Sequence, residues 1–388
     1  GPREAPGGRR GVRALRRSPV RVLQPQSPGE RPQSPPERPQ PPPAAAVERS
    51  AALPGLWYEK AAPGDRRLGK VVTIAKSKKF RDNHGKVLLE GHRLIKDALE
   101  AGAVPQTLFF STVGHLKLLP EAEIKRASLV KVKFEDIKTW SDLVTPQGLL
   151  GIFSKPDPAK MSYPAAQLTN SLPLLLICDN IRDPGNLGTI LRSAAAAGCE
   201  KVLLTKGCVD PWEPKVLRAG MGAHFRVPII ASLDWESVPT NLPAGTQVCV
   251  ADNDDPDAAA GATSTPRGAG RAGSAPDSPK AAVKSSPEAA PEHEDEEGAA
   301  GIPELAAQHY YEDWAHSPVA VVIGGETHGL SPAALRLAAS SGGRRLVIPV
   351  VPGVDSLNSA IAAGIVLFEG RRQLLWRHKR EDERQRLP

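Results

Sequence analysis

The chain is short of cysteine and of long apolar runs, and each shortage excludes a class of protein. Its four cysteines, Cys178, Cys199, Cys208 and Cys249, form no C-x-x-C pair in 388 residues. That excludes a disulfide scaffold and argues against a zinc site; two of the four lie in runs that read as buried strands, as in a reducing compartment. No apolar run approaches the roughly 20 residues that a membrane-crossing helix needs, so no membrane span is expected. The glycines follow no collagen-like period, and the phosphate-binding pattern G-x-x-x-x-G-K-[ST] is missing.

Proline and glycine, in contrast, are plentiful at 39 and 35 residues, and they cluster. Clustering points to disordered segments joined to ordinary globular domains. With 40% apolar positions the 388 residues can bury one or two sizeable cores. The net charge of +7 hides a division: residues 252–313 hold 4 basic and 14 acidic side chains, which leaves +17 on the rest. The basic part suits a polyanionic partner, although many basic surfaces share that signal.

Residues 1–56 read as a disordered leader and linker. Arg3, Arg9, Arg10, Arg13, Arg16, Arg17 and Arg21 face one acid, Glu4, in the first 29 residues. This is the composition of a mitochondrial transit peptide, with a basic arm touching nucleic acid as the alternative. Proline dominates Pro25 to Pro54, an extended linker. Order is expected from Trp57, and residues 57–160 read as a small α/β domain with strands at Lys86–Glu90, Gln106–Ser111 and Gly148–Ser154. Between them Leu94, Ile95, Ala98 and Leu99 share a helical stripe that Gly102 stops.

A second α/β domain spans 171–373. Leu174–Asp179, Lys201–Lys206, Gln247–Ala251, Val319–Ile323 and Leu346–Val350 are continuous apolar runs of strand length, the mark of parallel strands covered on both faces. A last helix from Ser356 to Arg372 sets Leu357, Ile361, Ile365 and Phe368 toward that sheet, and 374–388 is a charged tail. Residues 253–301, acidic and without an aromatic residue, read as a disordered insertion.

Three constellations carry the chemistry. Asp179-Asn-Ile-Arg-Asp-Pro-Gly-Asn-Leu-Gly-Thr-Ile-Leu-Arg-Ser-Ala194 leaves a buried strand, turns at Pro184-Gly185 and enters a helix bearing Asn186 and Arg192. A helix start with an arginine nearby suits a phosphate; a plain strand-turn-helix link with a surface arginine is the alternative. Val322-Ile-Gly-Gly-Glu-Thr-His-Gly-Leu-Ser331 ends a strand in glycines that let backbone approach a ligand, and it is not G-x-G-x-x-G. His328 there is a capping or exposed histidine before it is an acid or base. Ile348-Pro-Val-Val-Pro-Gly-Val-Asp-Ser-Leu-Asn-Ser-Ala360 is a stiff loop that Ser356 or Asn358 ends by capping a helix. Asn186 either fixes the loop or ribose, or forms an Asx turn. His224, Phe225 and Arg226 lie at the start of a strand and Arg218 precedes Gly220-Met-Gly222; one or both arginines contact RNA, or both lie on an ordinary surface.

In this order and spacing the three segments closely resemble the signature motifs of the SpoU/TrmH (SPOUT) family of RNA ribose 2′-O-methyltransferases, over residues 173–373. Leu89-Glu-Gly-His-Arg-Leu-Ile-Lys-Asp-Ala98 resembles that family's small, ribosomal-protein-like substrate-binding domain. The resemblance implies an α/β methyltransferase domain with a parallel sheet, helices on both faces, a trefoil knot, S-adenosyl-L-methionine as cofactor, and a homodimer whose subunits complete each other's sites. It implies cofactor contacts at Gly324, Ile348 and Leu357, with Glu326, Ser356 and Asn358 shaping the pocket, and a catalytic role for Arg192 with Asn186. With the arginine-rich leader it implies 2′-O-methylation of a ribose, a guanosine, in mitochondrial large-subunit rRNA or its assembly intermediates, in the matrix. A non-catalytic rRNA-binding assembly factor and a tRNA methyltransferase stay open as alternatives.

Overall fold

The computed structural model describes residues 49–141, 146–161, 163–252, 301–302, 304–316, 318–327 and 329–387. The arginine-rich leader, the acidic insertion at 253–300 and His328 lie outside the described residues.

The small domain begins earlier than proline content suggests. A hairpin of β1 (Arg49–Leu53) and β2 (Leu56–Lys60) precedes α1 (Arg66–Lys76) and α2 (Lys78–His84). The hairpin turns at Gly55, whose φ of 87° suits glycine. Asp65 caps α1, its side chain accepting from Arg67 N at 3.0 Å. Then come β3 (Lys86–Glu90), α3 (His92–Glu100), β4 (Pro105–Phe110), the single turns α4 (Gly114–Lys117) and α5 (Glu121–Ile124), β5 (Ser128–Lys131), α6 (Phe134–Trp140) and β6 (Leu149–Ser154). The sheet order is β1-β2-β5-β4-β6-β3, with β2, β5 and β4 mutually parallel and the other pairs antiparallel. Leu94, Ile95, Ala98 and Leu99 are buried as their helical spacing dictates.

The large domain contains α7 (Ala165–Thr169), β7 (Leu172–Asp179), α8 (Pro184–Ala197), β8 (Cys199–Thr205), α9 (Pro214–Gly220), β9 (Ile229–Leu233) and β10 (Gln247–Ala251). Beyond the insertion stand β11 (Ala307–His309), β12 (Val319–Gly324), α10 (Pro332–Ser340), β13 (Arg345–Val347) and α11 (Ser359–Arg386). The order is β11-β13-β10-β12-β7-β8-β9, and every recorded pairing is parallel. Leu174 and Leu176 of the central strand β7 pack beneath α8 and α11, while Leu175 and Ile177 pack on the opposite face with α10 residues Ala334 and Ala338. Burial on both faces explains why the strand sequence does not alternate.

Two expectations need correction. The run Leu346–Val350 is a strand only to Val347, because Pro349 has no N–H to give a ladder. The last helix starts at Ser359, continues to Arg386, and turns a different face to the sheet. Ala360, Ala363, Val366, Leu367 and Gly370 are buried, whereas Ile361 and Phe368 are 57% and 47% exposed. Small residues permit the close approach: a Cβ on Gly370 would stand 2.8 Å from the Trp314 ring.

The two domains share a core. Trp212, Leu217 and Phe225 of the large domain belong to the same buried cluster as Leu94, Leu99 and Phe110 of the small one. Arg81 of α2 is buried and donates to Asp210 Oδ2 at 2.7 Å and to the carbonyls of Ile74 and Ala75 at 2.9 and 3.0 Å. These bonds satisfy a charge that would be costly to bury unpaired.

Candidate active site

The site is assembled at the C-terminal end of β7 and β12, where parallel sheets bind ligands. Leaving β7, Asn180 adopts a left-handed φ of 55°, a conformation that asparagine tolerates better than most residues. Gly325 presses on it so closely that a Cβ would lie 2.3 Å from Asn180 O. Asp179, fully buried, anchors the glycine-rich loop: its backbone carbonyl accepts from Gly325 N at 3.0 Å, and its Oδ2 accepts from Ser331 N at 2.7 Å. The sequence reading gave Asp179 no role. Its signal was a carboxylate ending an otherwise apolar strand, which is costly to bury unless bonded.

Asp183 caps α8, its Oδ2 accepting from Asn186 N at 2.8 Å. The Asn186 side chain is therefore not the cap. It joins Glu326 and Asn358 instead: Asn358 Nδ2 donates to Asn186 Oδ1 and to Glu326 Oε1, both at 2.9 Å, and Asn186 Nδ2 reaches Glu326 Oε1 at 3.5 Å. Glu326 Oε1 also accepts from Ser359 N at 3.2 Å. Of the two capping candidates for α11, Asn358 is the cap, its Oδ1 accepting from Ala360 N and Ile361 N at 2.9 and 3.2 Å. One carboxylate oxygen thus ties together three segments that are remote in sequence, and the helix cap fixes which way the Asn358 amide faces.

Beside this network lies a cavity of about 120 Å³ that Gly324, Glu326, Ile348, Ser356 and Leu357 all line. Asp252, Leu330 and Leu346, which the sequence reading passed over, complete it. Its wall combines aliphatic side chains with two carboxylates, Glu326 and Asp252, and includes no lysine or arginine among the described residues; Asp252 is paired with Arg345 from just outside that lining, at 3.2 Å. Aliphatic groups suit the faces of an adenine ring and the Glu326 carboxylate suits a sulfonium, both of which S-adenosylmethionine carries, so the residues fit the group the motifs imply. The volume falls below the roughly 300–1,000 Å³ of sites that enclose a whole ligand. The loop after Ile348 is exposed, Val351 by 71%.

Arg192 is not in this assembly. It lies on α8 six residues past Asn186, about a third of a turn around the helix, and is exposed with no hydrogen-bond or ion-pair partner among the described residues. His224 sits at the domain junction: Nε2 donates to Pro211 O at 2.6 Å, and burial lowers its pKa to about 4. Arg226 approaches Asp97 of the small domain at 3.5 Å, and Arg218 is half-buried on α9. The thiols are structural: burial raises Cys199 to about 12 and Cys178 well above its ordinary value, so neither supplies a thiolate.

Comparison with known proteins places this geometry. The SpoU rRNA Methylase family matches residues 173–269 and 269–368, and the MRM3-like substrate binding domain matches 70–151. The chain is 57% identical over 383 residues to rRNA methyltransferase 3, mitochondrial, of Xenopus tropicalis, covering 94% of this chain and 92% of that protein. It is 56% identical to the protein of the same name from Homo sapiens over 395 residues, covering 94% and 90% of the two. Among solved structures, the AdoMet-bound rRNA methyltransferase from Sinorhizobium meliloti superposes with a TM-score of 0.57 at 26% identity, over 82% of this chain and 98% of that one. With the family profile covering both halves of the large domain and relatives this similar along nearly the whole chain, the protein belongs to the SpoU rRNA methylase family.

Proposed function

We propose that the protein transfers methyl from S-adenosylmethionine to a ribose 2′-oxygen, that of a guanosine, in mitochondrial large-subunit rRNA or its assembly intermediates. It would work in the matrix as a homodimer with knotted motif segments. The observation that carries this reading is the convergence of Asn186, Glu326 and Asn358 on one cavity lined by acids and aliphatic groups. The names of the relatives say rRNA and mitochondrial; the large subunit, the guanosine and the matrix belong to the proposal, from the resemblance of the motifs. No helix among the described residues is long and apolar enough to cross a membrane.

The cofactor supplies a methyl group on a cationic sulfur. Ile348, Leu346 and Leu357 would hold its apolar part and exclude water, and Glu326 would balance its positive charge, since Asp252 is already paired with Arg345 at 3.2 Å. Asn186 and Asn358 orient the Glu326 carboxylate and the ribose edge. The attacking 2′-oxygen must lose a proton, and a guanidinium, protonated at any working pH, cannot take it. Arg192 therefore clamps the adjacent phosphate and stabilises the developing alkoxide, while a phosphate oxygen or water accepts the proton.

Among the described residues the cavity wall has no lysine or arginine, and Arg192 is exposed on α8 with no hydrogen-bond or ion-pair partner. Both facts favour delivery of Arg192 to the partner's cavity. The uncovered face of α11, with Ile361, Phe368 and Leu375 exposed by 57%, 47% and 43%, is the apolar surface such a dimer needs. Phe368→Glu should then halve the mass seen in sedimentation. In a methyl-transfer assay on large-subunit rRNA, Arg192→Lys keeps charge but loses the fork, and turnover should fall roughly 10²–10³-fold with cofactor affinity nearly unchanged. Wild-type-like turnover of that variant, or survival of every methyl mark on the rRNA when the protein is lost, would refute the proposal.

A further inference from the structure

The small sheet has its own crevice at the C-terminal ends of its three parallel strands, β2, β5 and β4. It is a cavity of about 750 Å³, well apart from the cofactor cleft in lining residues. Open α/β sheets bind ligands at such ends. One wall, Lys60 to Gly64 with Leu68, comes from residues that precede the substrate-binding match at 70–151.

The chemistry of the lining is specific. Lys60 and Lys131 are register partners on adjacent strands, and Lys133 follows two residues on. Like charges placed side by side are unfavourable. Yet none of the three lysines has a carboxylate partner among the described residues. The neighbouring acids Glu59 and Asp65 are already taken by Arg67. A cluster of unpaired cations in a hollow calls for an anion. Next to it Phe134 is 42% exposed, with its ring against Gly148: a Cβ there would lie 3.4 Å from Phe134 Cδ2 and 2.4 Å from Ser111 Oγ. Gly148 holds a φ of 78°, so the close seat of ring and hydroxyl depends on glycine. Beside Lys133, on the first turn of α6, Glu135 and Asp136 offer acceptors for amino groups of a base. Ser111 and Thr112 complete the wall with hydroxyls suited to a ribose.

We propose that this crevice holds one unpaired nucleotide of the RNA substrate, with its phosphate on Lys60, Lys131 and Lys133, its base on Phe134, and base amino groups donating to Glu135 or Asp136. The idea rests on the reading of RNA as substrate and adds a second point of contact on the other domain. Proteins hold single strands in this way, by a cationic groove combined with an aromatic platform. A paired base hides its faces in the stack and cannot use the ring.

The test is equilibrium binding of the full chain to a labelled single-stranded oligocytidylate and, separately, to a blunt RNA duplex, with cofactor binding as a check on folding. Phe134→Ala should weaken oligocytidylate binding roughly tenfold and leave the duplex unaffected, and Phe134→Trp should restore it. Lys131→Ala with Lys133→Ala should reduce the slope of log affinity against log salt by about 1.4. Unchanged single-strand binding in Phe134→Ala, equal losses on single strand and duplex, or a free cytidine monophosphate that binds as tightly as the oligonucleotide would overturn the proposal. Because the readout is binding, it is decided even if methyl transfer to rRNA were never observed.

Discussion

The two clefts occupy equivalent places, each at the C-terminal ends of parallel strands, but they are built in opposite ways. The cleft of the large sheet is made from three segments that each read as a motif, and its polar groups are bonded to one another before any ligand arrives. The crevice of the small sheet is made from single residues: Lys60, Lys131 and Lys133, which have no carboxylate partner among the described residues, and Phe134, whose ring is 42% exposed. A site for chemistry must be rigid beforehand, because misplacement of the reacting atoms is expensive. A site that only grips a flexible strand can leave its cations in water until the strand displaces that water.

If the two clefts act on one RNA, the joint between them should matter most. Arg81→Ala leaves Asp210 buried without its cation and should lower stability by about 3–5 kcal/mol, measured by urea unfolding. Arg81→Met, which fills the space, should leave the same defect because Asp210 remains, so a double change of Arg81→Met with Asp210→Leu should recover most of the loss. An additive loss in that double change would show that packing, and not the unpaired carboxylate, is at stake.

The next contrast separates the clefts by kinetics. Glu326→Ala removes the acceptor shared by Asn186, Asn358 and Ser359 N, so cofactor affinity and turnover should both fall, by roughly tenfold or more each. Phe134→Ala should raise the apparent KM for RNA and leave the limiting turnover alone. Equal effects of the two changes on turnover would erase the distinction drawn between the clefts.

His224 tests the joint by pH. Burial holds its folded pKa at about 4 against an ordinary 6.5, so the unfolded chain takes up the proton first. Its contribution to stability is complete above about pH 6.5 and is lost as pH falls toward 4, at most about 3 kcal/mol in all. Unfolding midpoints between these pH values should fall less steeply in His224→Leu than in the unchanged chain. Parallel slopes would mean that His224 is charged in the fold or does not titrate.

Legibility followed the same division as the clefts. Lys86–Glu90 and Gln247–Ala251 stand as strands with the bounds their apolar runs suggested. Gly324, Glu326, Ile348, Leu357, Asn358 and Asn186 could be named because contiguous motifs carried them, and the structure gathers them at one cavity and its rim. The last helix misled because large apolar residues weigh most in a pattern, whereas the sheet accepts its small ones. Ile361 and Phe368 face outward while Ala363 and Gly370 make the close packing. The small crevice was invisible because it arises only when β2 pairs with β5, which sets Lys60 beside Lys131. No local periodicity records such a pairing.

The sharpest measurement mixes two impaired chains, assayed at a cofactor concentration too low to saturate Glu326→Ala. Arg192→Ala keeps the cavity and loses the guanidinium, and Glu326→Ala does the reverse. If each cavity borrows Arg192 from its partner, an equal mixture that has exchanged subunits forms one working site in each hybrid and should recover about a quarter of wild-type methyl transfer. Hybrids that form, as shown by mass, and yet remain as impaired as either parent would contradict the shared site.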